Sequence, residues 1–315
     1  MKKVSITLLF ALLSFVAHAQ ESSTAYNFLR LPVSAHAAAL GGDNISITDD
    51  DASMIFHNPA LISNTSDKSI NINFMTYMEG VNIGSASFVK GWGERATWGA
   101  SAMYMDYGKL KETTVTNEVV GNFSAKDVML GGTFTYLLTN KIAGGITAKV
   151  ISSTIGGYSS MAVGIDLGLN YYDAEREWSV SAVAKNLGGQ VKAYDDNFEK
   201  IPFDLQIGTS KRLAAAPLRF SATLSRLNSW DDDFINHLAI GADLLLSSSI
   251  YVAAGYNFRR ADEMKINQDD DSSSNHGAGL SLGGGIQLER FKLQMSYAKY
   301  HVSSTSLLFN LTYTL

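Results

Sequence analysis

Two short matches to a catalytic pattern stand out in this sequence: Ser87 to Lys90 ("SFVK") and Ser296 to Lys299 ("SYAK"). Both fit S-x-x-K, in which a lysine activates a serine nucleophile, but that chemistry also needs S-D-N and K-T-G partners. The chain contains neither. Both matches also fall in segments of strand-like alternation, where residues three apart point to opposite faces. A second candidate is His237 near Asp231, Asp232 and Asp233, a set that could serve a hydrolase at the rim of a larger structure; a solvated acidic loop is the favoured account of it. A third is Asn267, Asp269 and Asp271, spaced like calcium ligands but without the Gly and Glu that complete an EF-hand loop. The glycines 283–285 lie within a strand pattern rather than before a helix, so they do not read as a phosphate loop and instead ease curvature. There is no Cys, hence no disulfide framework and no Cys-based metal site. These residues define no catalytic centre, no metal site and no cofactor, and a non-enzyme is expected.

The elements around these residues are more informative. "MKK" followed by "VSITLLFALLSFVA" and "AHA" is a basic start, a short apolar run and an A-x-A site, the pattern of an export signal cleaved after residue 19. Cleavage removes two lysines and no acid, leaving 23 basic against 30 acidic side chains, a net charge of −7. Nucleic acid wants a basic patch and is excluded as a partner. No later stretch is apolar enough for a membrane helix. Instead, period-2 alternation recurs over 68–78, 81–90, 96–107, 122–138, 142–155, 160–172, 178–188, 201–212, 217–227, 236–246, 250–259, 277–288, 291–301 and 305–315. The last segment, "LLFNLTYTL", sets Leu307, Phe309, Leu311, Tyr313 and Leu315 on one face and Asn310, Thr312 and Thr314 on the other.

Fourteen strands, mostly longer than the mean soluble strand, with every long link after an odd-numbered one, make an antiparallel up-and-down β-barrel, all its long links at one rim. In a membrane only a closed barrel satisfies a strand's backbone, and outer-membrane barrels combine short turns at one rim with long loops at the other. The oily faces then meet lipid, and Trp92, Trp98, Tyr171, Tyr172, Trp178 and Tyr300 suit the interfacial girdles. The organisation expected is a signal peptide (1–19), an N-terminal plug-like segment (20–67) and an outer-membrane barrel (68–315).

The N-terminal segment contains "FLRLPVSAHAAALGGDNISITDDDASMIFHNPALI". "SAHAAAL" can form a short helix, Gly41-Gly42 a turn with positive φ, and Asn58-Pro59 a second break. The phrases "LPVSA…AALGG…DDDAS…NPAL" resemble the N-terminal signature of the PorV/PorQ family of Bacteroidetes outer-membrane proteins, its PorQ branch most nearly, itself similar to FadL-type barrels. The matching positions are Leu31, Pro32, Ala37, Ala38, Gly41, Gly42, Asp50, Asp51, Ser53, Asn58, Pro59 and Ala60, which the resemblance implies shape and seat the segment. His57 stands where relatives often carry an aromatic residue.

Membership would imply a non-enzymatic component of the type IX secretion system, with no cofactor. Its implied partners are the lipid bilayer, a PorZ-like surface protein, a PorU-like sortase and a PorV-like barrel, in a complex that attaches secreted proteins to anionic lipopolysaccharide. Tyr194, Phe198 and Trp230, aromatic residues amid acidic links, are the candidate docking residues. The alternative is a FadL-type outer-membrane transporter of hydrophobic small molecules, which requires a passage through the lumen or the wall.

Overall fold

A computed structural model of the chain describes residues 24–315 apart from 79, 117, 231–232, 268–272, 275–276 and 303. Residues 1–19, the expected signal, lie outside the described residues, as do Asp231, Asp232, Asp269 and Asp271. Among the described residues, fourteen strands close into one antiparallel barrel in which each pairs with its sequence neighbours and the last pairs with the first. They are β1 (Ser69–Met78), β2 (Val81–Trp92), β3 (Ala96–Thr113), β4 (Val119–Thr139), β5 (Ile142–Ile155), β6 (Tyr158–Asp173) and β7 (Trp178–Lys192), followed by β8 (Asp204–Arg212), β9 (Leu218–Leu224), β10 (Leu238–Leu245), β11 (Ile250–Asn257), β12 (Leu280–Gln287), β13 (Phe291–His301) and β14 (Ser304–Thr314). Closure leaves the backbone polar groups of the wall no open edge.

Each strand maps onto one of the expected segments, with shifts at the ends. β3 and β4 run six and three residues further than expected, because alternation continues through "KLKET" and "VVG" as a two-stranded ribbon above the rim. β8 starts at Asp204 rather than 201: Pro202 cannot donate to the ladder. After β11 the chain turns into a short helix, Phe258–Glu263, capped by the Asn257 side chain.

The wall is inverted relative to a soluble protein. Ile72, Phe74, Leu130, Leu169, Leu293 and Met295 are 46–59% exposed on its outside, while Asn71, Ser101, Thr133, Thr147, Asn170 and Ser296 are buried on its inside. In the closing strand Phe309 and Leu311 face out, and Leu308, Asn310 and Thr312 face in. So extensive an apolar exterior on a closed wall calls for hydrocarbon as its solvent. At the short-link rim Trp92 packs on Trp98, Trp98 on Phe134, Tyr171 on Trp178 and Phe291 on Tyr313, with ring centroids 4.6–6.4 Å apart. Two aromatics expected in the interfacial girdles face the other way. Tyr172 lines an internal cavity, and Tyr300 lies under the Arg260 guanidinium inside the barrel, because both have the inward parity of their strands.

Residues 24–67 lie within the wall. They start at the long-link rim, where Thr24 bridges Lys200 and the Ala25 amide donates to the Lys200 carbonyl. They end at the short-link rim, where Asp67 accepts from the Gly91 amide. Between these points come a helix α1 (Ala35–Ala39), capped by Ser34, and two 3-10 turns, Ala52–Phe56 and Pro59–Asn64, capped by Asp51 and Asn58. Gly41 and Gly42 carry φ of 104° and 100°. Helix α1 abuts β11–β14, and the Pro59 turn abuts β3–β6.

Candidate functional site

The sequence put no catalytic weight on His36, Asp49, Arg219, Asp243 or Tyr251, yet these form a dense polar cluster inside the barrel. Arg219 on β9 and Asp243 on β10 are direct cross-strand partners, and both point inward. The Arg219 guanidinium donates Nε to Asp243 Oδ2 at 2.7 Å, and Nη1 and Nη2 to the two Asp49 oxygens at 2.6 and 2.9 Å. His36 Nε2 lies 2.7 Å from Asp243 Oδ1, and its ring stacks on Tyr251 at 4.1 Å. Gln294 of β13 in turn donates to the Tyr251 hydroxyl at 3.0 Å. Burial pushes the Asp49 carboxyl up, but the Arg219 guanidinium more than offsets this and holds it well below the usual carboxylate range. Charge-assisted, bidentate bonds of this kind are short and directional. They tie the internal segment, through His36 and Asp49, to β9, β10 and β11.

A second set of contacts anchors the same segment by close approach. A Cβ at Gly145 would lie 2.5 Å from the Pro59 carbonyl carbon, and one at Gly255 would lie 2.3 Å from that of Leu40. Inward glycine is what lets the wall touch the segment's backbone. Gly283 belongs to this set too: its missing Cβ is the space beside Ala39, a closer reason for glycine there than wall curvature. Thr135 Oγ1 donates to the Pro59 carbonyl, Ser87 Oγ to the Ala52 carbonyl and Asn257 Nδ2 to the Gly41 carbonyl.

The signature positions concentrate along these contacts. Ala37, Ala38 and Ala60 are fully buried. Asp51 accepts from the Ser53 amide and hydroxyl, Asn58 Nδ2 donates to the Ile45 carbonyl, and Asp50 accepts from the Ser66 amide. Leu31, Pro32, Gly41 and Gly42 line a cavity at the long-link rim. His57 is an acceptor: its Nε2 receives the Val33 and Ser34 amides at 3.3 Å each. Burial, reinforced by the Lys185 ammonium, lowers its pKa to about 3, so the ring is neutral.

Two cavities flank the internal segment. One of about 530 Å³ opens at the short-link rim, lined by Asp49, Arg219, Tyr172, Arg212 and serines of the β10–β11 turn. The other, about 240 Å³, opens at the long-link rim. Leu29, Leu31 and Lys185 are shared between this outer cavity and a void of about 20 Å³ deeper in, bounded by Phe56, Met103 and Met129.

The other candidates separate. Ser87 is buried while Lys90 is exposed on the outside; Ser296 and Lys299 likewise alternate across the wall. His237 is fully buried and donates Nδ1 to the Ser225 carbonyl at 2.8 Å, a structural role. Tyr194 stacks on Tyr26. Phe198 and Trp230 are 68% and 59% exposed at the long-link rim, Trp230 stacked on Phe234.

No protein-family model matches the chain, and no curated protein matches it in sequence. Solved structures do match in fold. The Ralstonia pickettii toluene transporter TbuX aligns at 13% identity and a TM-score of 0.57, over 90% of this chain and 98% of that one. The Pseudomonas putida toluene transporter TodX aligns at 13% identity and 0.54, over 90% and 96%. A Pseudomonas aeruginosa FadL homologue aligns at 11% identity and 0.52, over 89% and 98%. The architecture is therefore a closed fourteen-stranded barrel of FadL-like fold.

Proposed function

We propose that this chain is an integral outer-membrane barrel that passes small hydrophobic molecules, with residues 24–67 as its gate. The observation that carries the reading is the pair of cavities at opposite rims, kept apart by one internal segment that, upstream of its entry into β1, is held to the wall by non-covalent contacts. Proteins of the same fold are described as toluene transporters and a monoaromatic hydrocarbon channel, which supports an apolar solute. The export-signal pattern expected over residues 1–19 and the apolar exterior support the outer membrane. The test is uptake of labelled toluene and labelled fatty acid into proteoliposomes, with wild type and with Arg219→Met. Uptake faster than in empty liposomes, and faster still in the variant, supports a gated channel. Uptake indistinguishable from empty liposomes for both overturns it.

A second reading follows from the exposed aromatic residues at the long-link rim. Phe198, Trp230 and Phe234 are each 59–68% exposed, beyond what an unpartnered aqueous rim requires. They support a scaffold of the PorV/PorQ type that holds a PorZ-like surface protein of the type IX secretion system, together with a PorU-like sortase, a PorV-like barrel and anionic lipopolysaccharide. Recovery of a large surface protein with the detergent-extracted barrel, lost in Trp230→Ala/Phe234→Ala, would favour it. Retention unchanged by deleting those links would sink it.

A further inference from the structure

The outer face of the short-link rim holds a cleft of about 350 Å³, lined by Lys90, Gly91 and Trp92 of β2 and by Trp98 of β3. Lys90 and Trp98 are direct cross-strand partners, and Trp92 follows Lys90 on the same outward face. The Gly91 amide is already taken by the Asp67 carboxylate. The side-chain polar groups of the cleft are therefore the Lys90 ammonium and two indole N–H groups, all of which donate and none of which accepts. Lys90 is exposed, as are Trp92 at 68% and Trp98 at 45%. None of the three groups has a hydrogen-bond or ion-pair partner among the described residues.

Two other cations of this rim are engaged: Lys141 pairs with Asp173 at 3.0 Å, and Arg212 with Glu177 at 2.9 Å. Lys211 is the informative comparison, because it stands in register with Trp178 as Lys90 does with Trp98. There the ammonium lies 5.7 Å from the ring centroid, and the indole donates Nε1 to Thr209 Oγ1 at 2.9 Å. The same pair of residue types is self-satisfied on β7–β8 and open on β2–β3.

Towards the middle of the wall the surface beside the cleft becomes apolar and small. Ala86 of β2, Ala100 and Ala102 of β3 and Gly132 of β4 share the outward parity; Ala86 is in register with Ala102, and Ala100 with Gly132. No atom lies within 4 Å of the place a Gly132 Cβ would take. Phe88 and Leu130, both exposed, border this shallow trough. Donors at the rim and an apolar trough leading away from them have the polarity of a lipid that enters headgroup outermost.

We propose that this face binds one anionic phosphodiester lipid, its phosphate on the Lys90 ammonium and the Trp92 and Trp98 indoles and an acyl chain in the trough. The proposal rests on the wall being immersed in lipid and is independent of transport. Charge selects the headgroup. A cleft with one cation and only donors matches a phosphate that carries a single negative charge and several acceptor oxygens. A zwitterionic headgroup would add an ammonium for which the cleft has no side-chain acceptor. The class is thus that of phosphatidylglycerol.

The experiment is native mass spectrometry of the full, detergent-extracted and delipidated chain. It is titrated with phosphatidylglycerol, phosphatidylethanolamine or phosphatidylcholine of identical chains. The proteins are wild type, Lys90→Gln, Lys211→Gln and Ala100→Leu, all changed at outward positions, with heat-modifiable gel migration confirming that each folds. The first phosphatidylglycerol should bind more tightly than the first molecule of either other lipid. Lys90→Gln should weaken it about fivefold or more, Ala100→Leu should weaken it by filling the trough, and Lys211→Gln should leave it unchanged. Equal binding of the three lipids, equal losses in the two lysine variants, or full binding in Ala100→Leu would each overturn the proposal. Lipids that bind without these preferences remove this site and leave the membrane-embedded wall intact. A folded barrel that takes up no lipid of any headgroup fails on both counts.

Discussion

The internal segment is held by two different kinds of contact on opposite sides of the barrel. Towards β9–β11 it is held by charge: Asp49 and His36 against Arg219 and Asp243, in a cluster where Asp243 is wholly buried. Towards β3–β6 it is held by shape, with the Pro59 turn pressed onto Gly145 and Gly168. The difference matters because the two fail differently. Close packing is insensitive to solvent composition and tolerates no added atom. A buried ionic cluster tolerates small displacements, yet losing one member strands the charges that remain. Under the proposed gating, the ionic side is the one at which the segment releases, and the packed side is the hinge about which it turns.

The largest effect is expected from breaking the ionic side. Arg219→Met leaves Asp49 and Asp243 without the guanidinium they share, a change that costs about 3–5 kcal/mol in other buried pairs. The barrel wall does not need this residue, because its backbone ladder is untouched. The loss should fall on the internal segment: higher single-channel conductance in planar bilayers, with the folded band still seen on unheated gels. Adding Asp243→Asn removes one stranded charge and should recover part of the closed state. Wild-type conductance in Arg219→Met would refute the assignment of this cluster as a latch.

The packed side should respond less in energy but more uniformly. Gly145→Ala puts a methyl carbon into the backbone at Pro59 and Ala60, where no flexible side chain can yield. Overpacking typically costs about 1–3 kcal/mol, and this backbone contact belongs at the upper end. Unlike Arg219→Met, the variant should lower the temperature at which the folded gel band disappears, with no rescue from a second polar substitution. A midpoint unchanged from wild type would show that the segment is not seated where Pro59 meets β5.

The wall was legible before the structure because lipid outside and polar groups inside impose a period of 2 that no other solvent arrangement sustains over fourteen segments. The internal segment was legible only as pieces: the Ser34–Leu40 helix, the two glycines and the Asn58–Pro59 break. What joins those pieces to the wall was not. Asp49 meets Arg219 across 170 positions and His36 meets Asp243 across 207, and no local pattern encodes such distances. One signal was present. Arg219 and Asp243 are opposite charges at inward positions of adjacent strands, and a register for β9 and β10 would have placed them side by side. The inward tyrosines, Tyr172 and Tyr300, were misassigned for a related reason: residue type suggested a girdle, whereas strand parity decides which face an aromatic takes.

The smallest and most specific effect concerns His57, which belongs to the segment rather than to either anchorage. Its folded pKa of about 3 lies below the ordinary 6.5, so the fold favours the neutral ring that accepts the Val33 and Ser34 amides. The stability this contributes is fully present above pH 6.5 and is lost progressively as pH falls towards 3. By pH 5 the loss is on the order of 2 kcal/mol, from 1.36 kcal/mol per unit over the interval below 6.5. Other groups titrate in the same window, so the informative quantity is the difference between wild type and His57→Phe. The variant should be less stable at pH 7.5, because two buried amides lose their acceptor at a cost of about 1–3 kcal/mol each. As pH falls to 5, wild type should give up this advantage while the variant does not, and the two denaturation midpoints should converge. If the gap instead holds constant from pH 7.5 to 5, the imidazole is not kept neutral by its burial, and the segment's fold does not depend on it as an acceptor.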